Sequence, residues 1–363
     1  MYDAQAGRKK AVAGAVRMLL CGPTVYDYSH VGHARMLLFY DLVARYCRYK
    51  KQRVSAVVNI TDIDPKIFAR ARQEGVSPQQ LAGRFIGELL RDASALGIDG
   101  FSYARVSDHV DVAKRLARRL LAEGMAYSAD GNVYLDVSKT KFGSLSKMSK
   151  KDLEDCRLDI SPGKKSPLDI LLWNASEKLD IGFSDRVLGE GIPWWHMQDT
   201  SVAVASFGGI YEMHGGADEL VYPHHESHLA QLRALTGKIA PVKAWTHTGL
   251  VYIDGEKMGK SRGNTVTVRD LLGRHSANAI RLYLLSRHYR KRFDYDERHI
   301  EKFEQLSDAI AGVGGESDRL PEDFMRRIED DFDTPGALRM MQRSVQRHSE
   351  GVGAMARIFG LRY

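Results

Sequence analysis

The chain has 363 residues, 44% hydrophobic and 27% charged, enough for a full core in two or three structural units without covalent staples. Its three cysteines, Cys21, Cys47 and Cys156, are too few and too scattered for a disulfide framework, which points to a reducing, cytoplasmic setting. A formal charge of +7 suits a polyanionic partner such as RNA. No run approaches the ~20 apolar residues of a membrane helix, which argues against a membrane role.

Arg8-Lys9-Lys10 ahead of residues 11–20 has the outline of a signal peptide, but Arg17 interrupts the apolar run and the segment reads as a strand. Gly22 and Pro23 close that strand, and Ser29 is placed to cap a helix whose first turn carries His30 and His33 on one face with Gly32 between them. Backbone N–H groups at such a helix start form an anion site. Residues 36–49 keep helical periodicity and 54–60 read as a buried parallel strand, so the unit is βαβ. Helices over 62–74 and 79–96, a strand over 101–106 and a helix over 110–123 continue a doubly wound α/β pattern, with Asp62 and Asp64 as helix caps.

Between 126 and 193 short strands alternate with lysine-rich loops at 139–151 and 163–165, the texture of an insertion. The α/β pattern resumes over 203–215, in a helix after Pro223, in a strand over 249–253 and in the cationic loop Lys257-Met258-Gly259-Lys260-Ser261-Arg262-Gly263-Asn264. From 269 the chain is helical. Four units follow: 1–125, 126–193, 194–268 and 269–363. His224 and His228, four apart after Pro223, are expected on one helical face with metal-ligand spacing, although His225-Glu226-Ser227-His228 is not the zincin pattern.

The pair His30-Val31-Gly32-His33 and Lys257-Met258-Gly259-Lys260-Ser261 resembles the HIGH and KMSKS signatures of class I aminoacyl-tRNA synthetases. With Cys21-Gly22-Pro23-Thr24-Val25-Tyr26-Asp27, Asn59-Ile60-Thr61-Asp62-Ile63-Asp64, Trp195-His196, His214-Gly215-Gly216 and Tyr222-Pro223-His224-His225-Glu226 in order, the chain resembles the cysteinyl-tRNA synthetase family, which includes the cysteine ligase of mycothiol synthesis. The resemblance implies a Rossmann-like (HUP) α/β parallel sheet with an inserted connective domain and a C-terminal helical region. It implies an ATP-dependent ligase that activates an amino acid, cysteine or a related one, as its adenylate. His30, His33, Lys257 and Lys260 then face the ATP phosphates, Gly32 lies under adenine, Asp218 or Glu219 is near ribose, Thr61 and Trp195 meet the amino acid, and Mg²⁺ accompanies ATP.

The family holds a zinc ion with a cysteine before the first motif, a cysteine four residues after the Trp, the first His of the His-His-Glu block and often a Glu four beyond. The corresponding residues are Cys21, Asp199, His224 and His228, so one Zn²⁺ is expected on a set with two anionic donors and a raised Lewis acidity. Asp199 and His228 depart from the family, and so does Gly259, where the loop usually has Ser. The family's C-terminal anticodon-reading module is expected to be missing, since the sequence stops at Tyr363. A small amine or carrier is accordingly favoured as acceptor, with charging of tRNA through its acceptor stem as the alternative. A third reading, a non-catalytic RNA-binding relative, is disfavoured by retention of both histidines and both lysines.

Overall fold

The computed structural model describes residues 1–12, 14–156, 163–175, 181–259, 262–313 and 318–363. Five strands, β1 (Val16–Thr24), β2 (Val54–Thr61), β3 (Ser102–Arg105), β4 (Tyr211–Ala217) and β5 (Val242–Thr248), form a wholly parallel sheet in the order β5-β4-β1-β2-β3. β1 and β2 are near-continuous apolar runs because helices cover the sheet on both faces, which buries alternate side chains of each strand equally well. Strand order reverses between β1 and β4, and in an open parallel sheet the ligand crevice forms outside the carboxyl ends of the strands at such a reversal. Cys21 of β1 and His214 of β4 stand beside it.

α1 (Val31–Tyr49) follows β1 and is buried along most of its length, Leu38, Tyr40, Leu42, Val43 and Ala44 completely. Its cap is not Ser29. The His30 ring accepts from the His33 N–H, and the His33 ring accepts from the His30 N–H, each at 3.4 Å, a capping box built from two imidazoles. Ser29 is buried and its carbonyl accepts the Val268 N–H at 2.9 Å. Asp64 does cap the helix Pro65–Glu74, accepting from Lys66 N–H at 2.8 Å, whereas Asp62 instead holds Ser107, whose N–H lies 2.9 Å from it.

Within 126–193 the described strands make a separate antiparallel sheet in the order Ala126–Ala129, Asn132–Leu135, Ile170–Asn174, Gly189–Pro193, Phe183–Asp185. Fully buried Glu226 ties this region to the main sheet by accepting the N–H groups of Ser144, Leu145 and Ser146 at 2.8–3.1 Å. Toward the C-terminus the helices α2 (Glu322–Glu329) and α3 (Thr334–Gln346) meet the far end of α1: Tyr46 donates to Glu329 at 2.8 Å and packs edge-on against Phe332. Among the described residues no helix is long and apolar enough to cross a membrane.

Candidate functional site

A cleft of about 750 Å³ opens at the strand reversal, lined on one side by Cys21, His30, Gly32 and His33 and on the other by Glu219, Lys257 and Gly259. The two motifs meet through backbone: Val31 N–H donates to Val266 C=O at 3.0 Å, Val268 N–H to Ser29 C=O, and His30 pairs with Thr267 in an antiparallel bridge. Buried Arg35, one turn into α1, donates to the carbonyls of Gly249, His288, Tyr289 and Lys291 and so fixes the rim from which the lysine loop leaves. Asn264 closes that loop, accepting from Gly259 N–H at 2.9 Å and donating to Lys257 C=O at 3.3 Å. Gly259 is therefore pinned, contrary to the loosening its lack of a side chain suggests.

His30 and His33 stack with centroids 3.7 Å apart. Because each uses Nδ1 as the acceptor in the reciprocal cap, each carries its proton on Nε2 and presents a donor away from the helix backbone. A Cβ on Gly32 would lie 3.0 Å from Cε1 of His30 and 3.3 Å from Cε of Met258, so one of these side chains would have to give by a few tenths of an ångström to admit it. Gly32→Ala is expected to slow adenylate formation about tenfold by displacing one of those neighbours; pyrophosphate exchange measures it. Lys257 is ion-paired with Glu219, whereas exposed Asp218 is not among the lining residues. Of the two acids proposed near ribose, Glu219 faces the cleft. Lys260 and Ser261 lie outside the described residues.

Behind the cleft floor sits a buried cluster centred on Cys21. Its thiol donates to Asp199 at 2.8 Å, with His225 Nε2 at 3.1 Å and His214 Nε2 at 3.4 Å. His224 Nε2 lies 2.9 Å from the same Asp199 oxygen, and Asn59 donates to the other. Burial, with Asp199 alongside, pushes the Cys21 thiol well above its ordinary pKa. Burial holds His196, His214 and His225 well below theirs and brings His228 to about 3 and His247 to about 4. These imidazoles are neutral at physiological pH, so each keeps one ring nitrogen as an acceptor.

Two three-donor groups that share Cys21 result, Cys21–Asp199–His224 and Cys21–His214–His225, with all donor atoms of each within 4.8 Å of one another and all five residues buried. Outer partners orient the rings, as metal-ligating histidines require: His196 on Nδ1 of His224, Tyr211 on Nδ1 of His214, His247 on Nδ1 of His225. Trp195 stacks on His224 at 4.4 Å, an aromatic wall behind a donor and not in the cleft lining. Thr61 ends β2 opposite Thr24, its carbonyl accepting Val25 N–H at 3.1 Å, and it is not among the lining residues either.

His228 stands apart, and the expectation that it is the fourth donor is corrected. His224 lies in the irregular helical turn Val221–His225 that leads directly into the α-helix Glu226–Thr236, and the ring of His228 turns away from the Cys21 cluster. Both ring nitrogens of His228 are engaged, Nδ1 with Thr200 Oγ1 at 2.8 Å and Nε2 with Tyr211 OH at 2.9 Å. Thr200 spends its proton on His196 C=O, so His228 donates to Thr200, Tyr211 donates to His228, and His214 donates to Tyr211. The chain leaves the His214 Nε2 lone pair facing Cys21. His228 thus orients His214 from a distance. The signals for His214 and His225 were present in the His-Gly-Gly and His-His-Glu blocks, but neither has a spacing that singles it out.

The profile of the family described as tRNA synthetases class I (C) catalytic domain matches residues 8–305. A cysteine–tRNA ligase of Moorella thermoacetica is 36% identical over 372 residues, covering 93% of this chain and 78% of that protein. The chain belongs to the cysteinyl-tRNA synthetase family. A second member, the cysteine–tRNA ligase of Thermococcus kodakarensis, is 41% identical over 291 residues, 79% of this chain and 61% of that protein. The class I fold also matches Mycobacterium tuberculosis methionyl-tRNA synthetase in complex with methionyl-adenylate, TM-score 0.68 at 16% identity over 96% of this chain and 88% of that one. As a member of this ligase family, the chain is an enzyme of the adenylate-forming class, whose reaction releases pyrophosphate and AMP.

Proposed function

We propose that the chain activates cysteine, or an amino acid close to it, as the adenylate and esterifies it onto the acceptor end of a tRNA. The observation that carries this reading is the meeting of the two motifs around one cleft whose floor is the Cys21 cluster. This reverses the order of acceptors drawn from sequence, where a small amine came first: the relatives matched at 36% and 41% identity are cysteine–tRNA ligases. In the first step an amino-acid carboxylate attacks the α-phosphorus of ATP, the bond to the β-phosphate breaks and pyrophosphate leaves. In the second, a ribose hydroxyl of the RNA terminus attacks the acyl carbon and AMP leaves.

No protein nucleophile is needed, so the residues act by position and charge. His30 and His33 supply Nε2–H donors to the phosphates at the N-terminus of α1, where the helix dipole also favours the anion. Lys257 leaves Glu219 for the phosphates when ATP, with Mg²⁺, enters, and Lys260 completes the pair. Cys21, Asp199 and His224 would hold Zn²⁺, with the second imidazole group adjoining, and the ion would supply a Lewis acid for a substrate thiolate. These donors fit such an ion: they are buried, neutral or anionic, and oriented by second partners.

His228→Gln is expected to keep zinc at one equivalent, while Asp199→Ala and His224→Gln lose most of it. Metal analysis of the purified variants decides, and loss of the ion in His228→Gln would return that residue to the donor set. The function itself is tested by charging purified tRNA with labelled cysteine; pyrophosphate exchange without any acylated RNA would point back to a small acceptor.

A further inference from the structure

The segment that leaves the lysine loop is stitched to the start of α1 by backbone, Val31 to Val266 and Val268 to Ser29, and Thr267 caps the short helix Val268–Leu272 by accepting the Asp270 N–H at 3.2 Å. Arg269, in the first turn of that helix, adds a side-chain tie. Its guanidinium lies 3.9 Å from the ring centroid of Tyr28, two residues before His30, pairs with Glu88 and has Asp92 Oδ1 3.8 Å away. Glu88 and Asp92 stand one turn apart on the helix Pro78–Ala95, and Tyr28 meets Phe85 of the same helix edge-on at 5.2 Å. Three segments therefore converge on one guanidinium. Like charges at this spacing repel, Asp92 is buried and exposed Arg91 pairs with Glu88, so Arg269 is the cation that faces both acids. The fit is unfinished: Arg269 Nε and Asp92 Oδ2 are both buried without a hydrogen bond. A contact of this kind keeps its charge complement while the guanidinium shifts between two acids, which suits the root of a loop that moves.

We infer that Arg269 is a positioning residue for adenylate formation: it holds the outgoing end of the lysine loop in register with His30, so that Lys257 and Lys260 arrive over the phosphates that His30 and His33 bind. The inference rests on the adenylate-forming reading of the cleft and is independent of the acceptor. Arg35 secures the opposite end of the same loop through the carbonyls of Gly249 and Lys291. Arg269 mirrors it from the other side, and none of Arg269, Glu88, Asp92 and Tyr28 lines the cleft. Their effect on the reaction is therefore one of placement. A loop root displaced by about 1 Å costs up to ~10²-fold in rate with no change in the groups that touch substrate. The amino acid, bound on the Cys21 side of the cleft, is held as before.

Pyrophosphate exchange and thermal unfolding are measured on the full chain for wild type, Arg269→Gln, Arg269→Lys and the triple variant Arg269→Gln/Glu88→Gln/Asp92→Asn, which removes the cation together with the acids it faces. Arg269→Gln is expected to lower kcat about tenfold with the cysteine KM within about twofold of wild type, and to lose thermal stability because two acids are left facing each other. Arg269→Lys keeps the charge and should stay within about threefold of the wild-type rate. The triple variant separates placement from charge balance. Its stability should return, because no unpaired charge remains, while its rate stays about tenfold low, because Tyr28 and the helix Pro78–Ala95 no longer hold the loop. Recovery of the rate along with the stability would show that Arg269 only neutralises two acids, and would overturn the inference. So would an unchanged kcat in Arg269→Gln, or a loss that lies in the cysteine KM. If Arg269→Gln does not fold, the triple variant against wild type carries the same comparison. Wild type that exchanges pyrophosphate with no amino acid overturns the adenylate reading and the inference together.

Discussion

His33→Ala should slow adenylate formation by about 10²-fold, some 2.7 kcal/mol of transition-state stabilisation, while leaving the dissociation constant for the amino acid nearly unchanged. The split follows from where the ring sits. Its Nδ1 accepts the His30 N–H and its face lies on the His30 ring, so Nε2 is the ring nitrogen that carries a proton for charge developing on the phosphates. The same variant also removes half of the helix cap, expected to cost about 1 kcal/mol of stability. His33→Asn separates the two effects, because its side-chain oxygen can still accept the His30 N–H. Recovery of thermal stability without recovery of the exchange rate is the expected pattern. Equal losses in rate and in amino-acid binding would contradict the assignment.

Arg281→Ala should destabilise the fold by about 3–5 kcal/mol, enough to leave a marginal protein largely unfolded at growth temperature. Arg281 and Asp41 are each 1% exposed and paired with one another. The guanidinium also donates to Phe359 C=O and Leu96 C=O, both at 2.8 Å, so one side chain ties α1, the turn after the helix Pro78–Ala95 and the C-terminal helix Val352–Phe359 together. Gly360 makes this possible: a Cβ there would lie 1.9 Å from Arg281 Nη2. Removing the cation leaves Asp41 with only the partly exposed Arg45. Chemical denaturation of wild type, Arg281→Ala and Arg281→Lys measures the cost. A loss below about 1 kcal/mol in Arg281→Ala would show that the pair is structurally dispensable.

The β1–α1–β2 core was readable from the chain because its signals are local: a β-branched run, a Gly-Pro stop and a helical repeat of apolar residues. The cap of α1 was missed because histidine is not a usual capping residue, and only the three-dimensional pairing of His30 with His33 reveals it. The metal cluster was half legible. Cys21, Asp199 and His224 came from motif order, whereas the place of His228 was inferred from its spacing, which cannot show that both its ring nitrogens go to Thr200 and Tyr211. His214 and His225 enter through sheet register and an irregular turn, which no spacing rule encodes. Arg281 was invisible for a related reason: an arginine within the apolar run 277–285 declares nothing until Asp41, 240 positions away, is seen beside it.

The central claim is that one cleft both activates cysteine and passes it to RNA. It is tested most directly by incubating the purified chain with ATP, labelled cysteine and total tRNA, then separating acid-precipitable RNA ester from free adenylate and from small-molecule amides. The account predicts label in the RNA ester, formed about 10²-fold more slowly by His33→Ala. Cysteine-dependent pyrophosphate exchange with no label in RNA, and label appearing in an amide once small amines are supplied, would contradict it.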